Sequence, residues 1–264
     1  MLKAFFIVVG LLSFIFASNK ECKLIMVYKN SDKPPYMFKD GSGIYKDVYE
    51  KAAKMIGCSL GIKREPKKRA IEDLKTGKAD FYPIFGYSKK RADYVYYLKS
   101  YICNKLVFVT RKDTPNISKK SQIKKLVIIK ERCGYSPIYK YANKFFMTDN
   151  LGVKKYIDLL LNKRADAFLY HALTVEHAIK KWHIKDIKLN YKLFKDINPS
   201  TFGFSRKSKY LKVIPNPNFD KSKPRSINNF PVVLSENSIA YKFQKALYKL
   251  KESGFTDEIC RKYR

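Results

Sequence analysis

Residues 59–85, SLGIKREPKKRAIEDLKTGKADFYPIF, decide how this chain folds. Residues 59–63 read as a strand. A helix over 67–76 follows, stopped at Gly77, because glycine just past the last turn is a common helix terminator. Residues 79–85 (ADFYPIF) then read as a further strand. Upstream, the short apolar run LIMVY at 24–28 is a buried strand. The segment Lys33-Pro34-Pro35-Tyr36 must turn, since proline blocks the helix and restrains its predecessor. Ile44, Val48, Ala52 and Ile56 recur every four residues, with Gly57 just beyond, which is a helix. Strand, helix, strand, helix, strand predicts a parallel α/β layout with right-handed crossovers.

A second α/β series follows. Strands are expected at 105–111, 126–130, 165–169 and 201–205, and helices at 137–145, 151–161, 172–181 and 239–251, the last stopped at Gly254. Residues 207–236 are polar, carry four prolines and are long for an ordinary loop. The expected architecture is α/β and two-lobed, with two three-layer lobes, residues 22–108 plus 203–264 and residues 112–200. The chain crosses between them near 108–113 and again near 198–205. Two crossings make a hinge, and a hinge lets a central cleft close on a ligand. In open parallel sheets ligands sit beyond the C-terminal strand ends, so the residues just after the strands should line that cleft.

The 264 residues carry 55 Lys+Arg against 23 Asp+Glu, a formal charge of +32. With 45% hydrophobic residues the chain is not a disordered polyelectrolyte. Its basic residues are 45 Lys and 10 Arg, strewn along the whole length. A nucleic-acid footprint would be clustered and richer in Arg, so no specific nucleic-acid partner is expected. The positive surface favours anionic partners. Residues 1–18, MLKAFFIVVGLLSFIFAS, have the layout of a secretory signal peptide cleaved after Ala17, giving a 1–17 leader and an exported, periplasmic protein. The apolar run is too short for a membrane span of ~20 residues. Five cysteines match no zinc or CxxC spacing, so neither metal nor cofactor is expected. Cys22 and Cys58 each precede an expected strand. If those strands are parallel neighbours the two cysteines can form a disulfide; otherwise both are small buried hydrophobes.

Taken in order, the motifs resemble those of the bacterial extracellular solute-binding proteins of family 3, the type II periplasmic binding proteins of amino-acid uptake. Lys33-Pro34-Pro35-Tyr36-Met37-Phe38 with Gly43 and Asp47 resembles their opening. Leu74–Asp80 resembles their L-x-x-G-x-x-D signature, Ser88–Arg91 their T-x-x-R, and residues 105–112 their first hinge strand. Lys163–Ala167 resembles the D-A element, Phe202–Ser205 the returning hinge, and residues 254–263 the terminal motif. The likeness spans nearly the whole mature chain.

The resemblance implies that Arg91 clamps a ligand carboxylate, with Ser88 and the Gly86 backbone adding donors. A guanidinium offers a planar, permanently charged fork to two carboxylate oxygens. From the other lobe, the loop Arg132-Cys133-Gly134-Tyr135-Ser136 opens an expected helix and is either an anion-binding jaw or a plain turn. Amino-acid binders carry an acidic residue five positions past the Asp of the D-A element. Here that position is His171, preceded by Tyr170, and an imidazole replaces a carboxylate poorly. His171 is either a satisfied structural histidine or a ligand contact. Lys33 stands where an aromatic is usual, and with Arg69, Arg91 and Arg132 it points to a cation-rich cleft for an acidic solute. Tyr36 and Tyr87 are either stacking surfaces for a ligand or packing residues. The expected function is capture of a small carboxylate-bearing or anionic solute by a monomeric, non-catalytic receptor that serves a membrane permease. The alternatives are a dehydratase of prephenate-like acids on the same scaffold, and a basic envelope or nucleic-acid-binding protein.

Overall fold

The computed structural model describes residues 21–132, 136–149, 151–195 and 201–264. The expected leader 1–17 and its expected cleavage site lie outside them. The chain opens with β1 (Cys22–Lys29), α1 (Ile44–Lys54), β2 (Cys58–Glu65), α2 (Lys67–Thr76), β3 (Phe81–Tyr82), α3 (Lys89–Ala92) and β4 (Val95–Lys99). It continues with β5 (Leu106–Arg111), β6 (Val127–Glu131), β7 (Lys144–Thr148), α4 (Val153–Leu161), β8 (Ala167–His171), α5 (Ala172–Trp182) and β9 (Ile187–Asn190). The last elements are β10 (Thr201–Ser205), β11 (Val213–Pro215), β12 (Val232–Leu234), α6 (Ile239–Glu252) and α7 (Phe255–Lys262).

Two five-stranded sheets result, ordered β2-β1-β3-β10-β4 and β7-β6-β8-β5-β9, with β11 and β12 as a separate hairpin. The fold is the expected two-lobed α/β architecture. In the first sheet β1 is parallel to β2 and β3, and the returning β10 is antiparallel to β3 and β4. In the second, β6 is parallel to β7 and β8, while β5 runs antiparallel to β8 and β9. Helix α2 spans the residues expected of it, and Gly77 ends it at φ 77°. Helix α1 buries Ile44, Val48 and Ala52 of the stripe read from sequence, and Ile56, the fourth member, lies partly buried just past its end at Lys54.

Each lobe fixes its sheet by the same side-chain device. The Asp80 carboxylate accepts the Ile25 N–H at 2.7 Å, and the Asp80 N–H returns to the Ile25 carbonyl at 2.9 Å. In the second lobe Asp166 accepts the Val127 N–H at 2.8 Å and its own N–H returns to Val127 O at 2.8 Å. Both are motif aspartates, and each ties the residue before a strand to that strand's parallel neighbour, β3 to β1 and β8 to β6. Asp80 also accepts from Ser208 at 2.6 Å, and Asp166 pairs with Arg111 at 3.1 Å. In the first core Tyr49, Phe81, Phe202 and Phe243 pack with centroids 5.1–6.1 Å apart. One core of the second lobe joins α4 and α5 through Tyr156, Ile157, Leu160 and Val175, and another gathers Ile117, Ile123, Ile138 and Phe194. Leu173, in the first turn of α5, belongs to the first lobe's core instead, so that turn packs between the lobes.

Several elements differ from the sequence reading. β3 is two residues long, because Pro83 has no N–H to continue the ladder. Residues 137–145 are not one helix: Pro137–Tyr141 makes a 3-10 turn, and the aromatic KFFMT run then pairs with β6 as β7. β4, β9, α3 and α7 are additional elements, and residues 207–236 contain the β11–β12 hairpin. The first crossing lies between Lys99 and Leu106, upstream of 108–113, because β5 is buried and hydrogen-bonded on both edges within the second sheet. Cys22 and Cys58 are register partners on β1 and β2 and form a disulfide. A second disulfide, Cys103–Cys260, ties the first crossing to α7.

Candidate functional site

The turn Lys33–Met37 follows β1. The backbone groups of its two ends bond each other at 2.8 and 3.0 Å across a cis Pro34–Pro35 peptide. Arg64 on β2 braces it, donating to Lys29 O at 3.1 Å and Phe38 O at 2.5 Å. Gly43 closes it against α1: the Ile44 and Tyr45 N–H groups donate to the Pro35 and Tyr36 carbonyls at 3.1 and 3.0 Å. A side chain at Gly43, whose φ is 124°, would meet both carbonyls at 2.8 Å. This bracing holds Lys33 inward, 8% exposed, with Nζ 5.4 Å from the centroid of the Tyr36 ring.

Facing it are the C-terminal ends of second-lobe strands. Glu131 ends β6 and accepts from Tyr156 Oη at 2.5 Å. Tyr170 and His171 end β8. The His171 ring lies 5.8 Å from the Tyr36 ring, and its Nδ1 hydrogen-bonds Asn104 Oδ1 in the first crossing. Tyr36 Oη donates to the Cys103 carbonyl at 2.7 Å. Tyr28 and Tyr82 pack ring to ring at 5.1 Å on the first-lobe side, and burial, then the Tyr82 and Tyr170 hydroxyls, raises Tyr28.

The electrostatics follow from burial. The Lys33 amine is pushed down to about 7, first by desolvation and then by the charge of Lys29, with Glu131 opposing both. Lys29 is lowered too, chiefly by burial. His171 is held well below the usual histidine range by burial, then by Lys33 and Lys29, and so is neutral at pH 7. Burial, with Glu131 nearby, raises Tyr170. Among the described residues no carboxylate lies within ion-pair distance of Lys29, Lys33 or Arg91.

Arg91 occupies the loop-and-turn after β3. Its guanidinium stacks on Phe85 at 4.4 Å and donates to Gly86 O at 3.0 Å. Ser88 caps α3, its Oγ accepting from Arg91 N at 3.2 Å, which leaves the hydroxyl proton free to donate. Arg91, Ser88 and Gly86 are therefore brought together. Tyr36, Tyr170 and His171 form a second group near Lys33. Tyr36 is fully buried among Tyr45, His171 and Lys33, and Tyr87 donates to Arg225 O at 2.6 Å. Arg69 is not part of either group; it is exposed and pairs with Glu65 at 3.2 Å. Arg132 is also exposed, 3.7 Å from Asp149. Cys133 and Tyr135 lie outside the described residues. Lys29, Glu131, Tyr28, Tyr82 and Asn104 were not anticipated. Lys29 and Glu131 are the last residues of their strands, so the strand-end rule applied to those residues, and not only to the loops after them, would have found both.

Two cavities lie away from these groups: about 560 Å³ beside β9, walled by Phe108, Ile117 and Leu193, and about 680 Å³ behind the crossing, walled by Leu106, Leu173 and Phe194. The described residues hold no cluster of His, Cys, Asp and Glu fit for a metal ion, and no helix long and apolar enough to cross a membrane.

Residues 25–264 match the sequence profile of the bacterial extracellular solute-binding proteins, family 3. The chain belongs to this family. Solved structures similar to this family 3 chain include an ancestral arginine-binding protein bound to arginine, at 17% identity and TM-score 0.61, covering 91% of this chain and 97% of that one. The GluR0 ligand-binding core in complex with L-glutamate is 17% identical at TM-score 0.63, covering 93% and 99%. A protein from a study of glutathione import in Gram-positive bacteria, via GshT and the cystine ABC importer TcyBC of Streptococcus mutans, is 18% identical at TM-score 0.65, covering 92% and 95%. Sensor domains share the fold as well, including one from a histidine kinase, 14% identical at TM-score 0.61, covering 92% and 96%. At these identities the likeness is one of fold. No curated protein sequence matches the chain.

Proposed function

We propose that this family 3 protein is an exported, non-catalytic receptor that closes its lobes on a small carboxylate-bearing or anionic solute and delivers it to a membrane permease. The observation that carries the reading is Arg91. Its guanidinium is held flat against Phe85 beyond a strand end, with no carboxylate of the described chain in reach. A fork so held presents its remaining donors to an incoming carboxylate, each charge-assisted bond contributing roughly 1.5–3 kcal/mol. The arginine and L-glutamate bound to two of the structural neighbours, and the glutathione whose import a third was studied for, all bear carboxylates, which supports the class. Two disulfides suit an oxidising compartment outside the cytoplasm, and the +32 charge draws anions toward the surface.

Closure supplies the mechanism. Lys33 and Tyr36 belong to one lobe, and Glu131, Tyr170 and His171 to the other. A ligand touching both sets makes all its contacts only when the lobes meet, and so shifts the population to the closed state. A thermal-shift screen of small carboxylic acids tests the reading. At least one acid should raise Tm, and Arg91→Ala should abolish that rise while leaving the circular dichroism unchanged. No rise with any acid, or an equal rise in the variant, would overturn it.

A further inference from the structure

Lys29 ends β1 and Lys33 sits in the braced turn just after it, on a side chain only 8% exposed, so two ammonium groups stand close to Glu131 and His171 of the second lobe. Buried charges in folded proteins are ordinarily paired or hydrogen-bonded, because an uncompensated buried cation costs several kcal/mol. No carboxylate within 4 Å serves either lysine among the described residues, and Lys33 Nζ lies 5.4 Å from the centroid of the Tyr36 ring. Glu131 faces them from β6, but Tyr156 already donates to its carboxylate, and one anion cannot balance two cations. His171 is neutral, and Tyr36 and Tyr170 stay protonated, so no other group packed against the pair supplies negative charge. Arg91, with its own guanidinium unpaired, sits in the separate loop after β3.

We propose that Lys29 and Lys33 form a second anion subsite, so that the solute is a small dianion whose one charged end lies at Arg91 and whose other lies against the lysine pair. The inference rests on the receptor reading and narrows its ligand class. Negative charge on the ligand takes over the counter-ion role that the protein leaves open and draws a proton onto Lys33 when the solution is above neutrality. Affinity for a dianion therefore falls as pH rises from about 7 to about 9, with Lys29, Glu131, His171 and Tyr36 facing Lys33 or the pair, and Lys67 and Arg64 beside Lys29.

The experiment uses probe pairs of similar shape that differ by one negative charge: L-glutamate and L-glutamine, succinate and succinamate, glutarate and glutaramate. Calorimetric titrations at pH 6.5 and 8.5 compare wild type with Lys33→Met, Lys29→Met and Arg91→Ala. In at least one pair the dianion should bind at least tenfold tighter than its partner. Lys33→Met or Lys29→Met should reduce that preference to about twofold, read as the ratio of the two affinities within each variant. Titration in two buffers of different ionisation enthalpy should show proton uptake at pH 8.5 in wild type and none in Lys33→Met. Equal binding within every pair, no binding by any dianion, or a preference surviving both lysine variants overturns the dianion subsite. If carboxylates still bind in that case and Arg91→Ala still removes them, the receptor reading stands without it.

Discussion

Lys33 is destabilising in the unliganded fold, and its pH behaviour follows from that. Its folded amine titrates at about 7, against roughly 10.4 in an unfolded chain. Between those values the unfolded chain holds a proton that the folded one lacks, so stability rises with pH across that window. His171, also lowered on folding, takes over on the acid side: stability falls as pH drops below roughly 6.5, where the unfolded imidazole gains a proton. Lys33→Met should therefore raise the unfolding free energy at pH 7 by up to about 4 kcal/mol and flatten the rise between pH 7 and 10. Chemical denaturation at a series of pH values checks both effects, and a destabilised variant would contradict the placement of this amine. The sequence marked Lys33 as unusual, since a cation replaces the aromatic expected there. It did not mark Lys29 or Glu131, because the last residue of a strand looks like any other strand residue until the sheet order shows which end faces the gap.

Among the elements, those with a strong local signal were readable and those that depend on distant pairing were not. Helix α2 has an amphipathic run and a terminal glycine, and its limits follow from those alone. β7 has neither; Lys144–Thr148 becomes a strand because β6 lies beside it, and short apolar runs do not separate strand from helix by periodicity. β3 was overextended because Pro83 ends the ladder inside an otherwise strand-like run. The two motif aspartates were recognisable as signatures, but their shared task of pinning Ile25 and Val127 appears only in three dimensions. The turn that presents Lys33 depends on Gly43, which combines positive φ with close approach to two carbonyl oxygens. Gly43→Ala should cost about 1–3 kcal/mol and weaken ligand binding, because the displaced turn carries Lys33 and Tyr36. A variant with unchanged midpoint and affinity would show that the turn does not need this glycine.

At the scale of the whole molecule, the two α/β series follow from the order of strands and helices in the sequence, whereas the Cys22–Cys58 pair stayed open until β1 and β2 proved to be parallel neighbours. The Cys103–Cys260 bridge does not follow from that order, since its halves lie 157 residues apart and meet only because α7 returns to the crossing. A loop that long gives a disulfide a stabilisation of about 4–5 kcal/mol in the chain-entropy picture. Replacing both cysteines by serine should lower Tm by several degrees or more in calorimetry; an unchanged Tm would show that the bridge adds nothing to the fold. Arg91 was found through its motif, whereas the grouping of Lys33, Tyr36, Tyr170 and His171 required the two lobes to be seen together. The claim on which the functional reading stands is that a gap between the lobes holds an acid gripped by Arg91. Native mass spectrometry of protein purified without dialysis tests it most directly. The predicted result is one small acidic adduct per chain on the wild type and none on Arg91→Ala; an adduct retained by the folded variant, or bare wild-type protein that no acid can load, would contradict it.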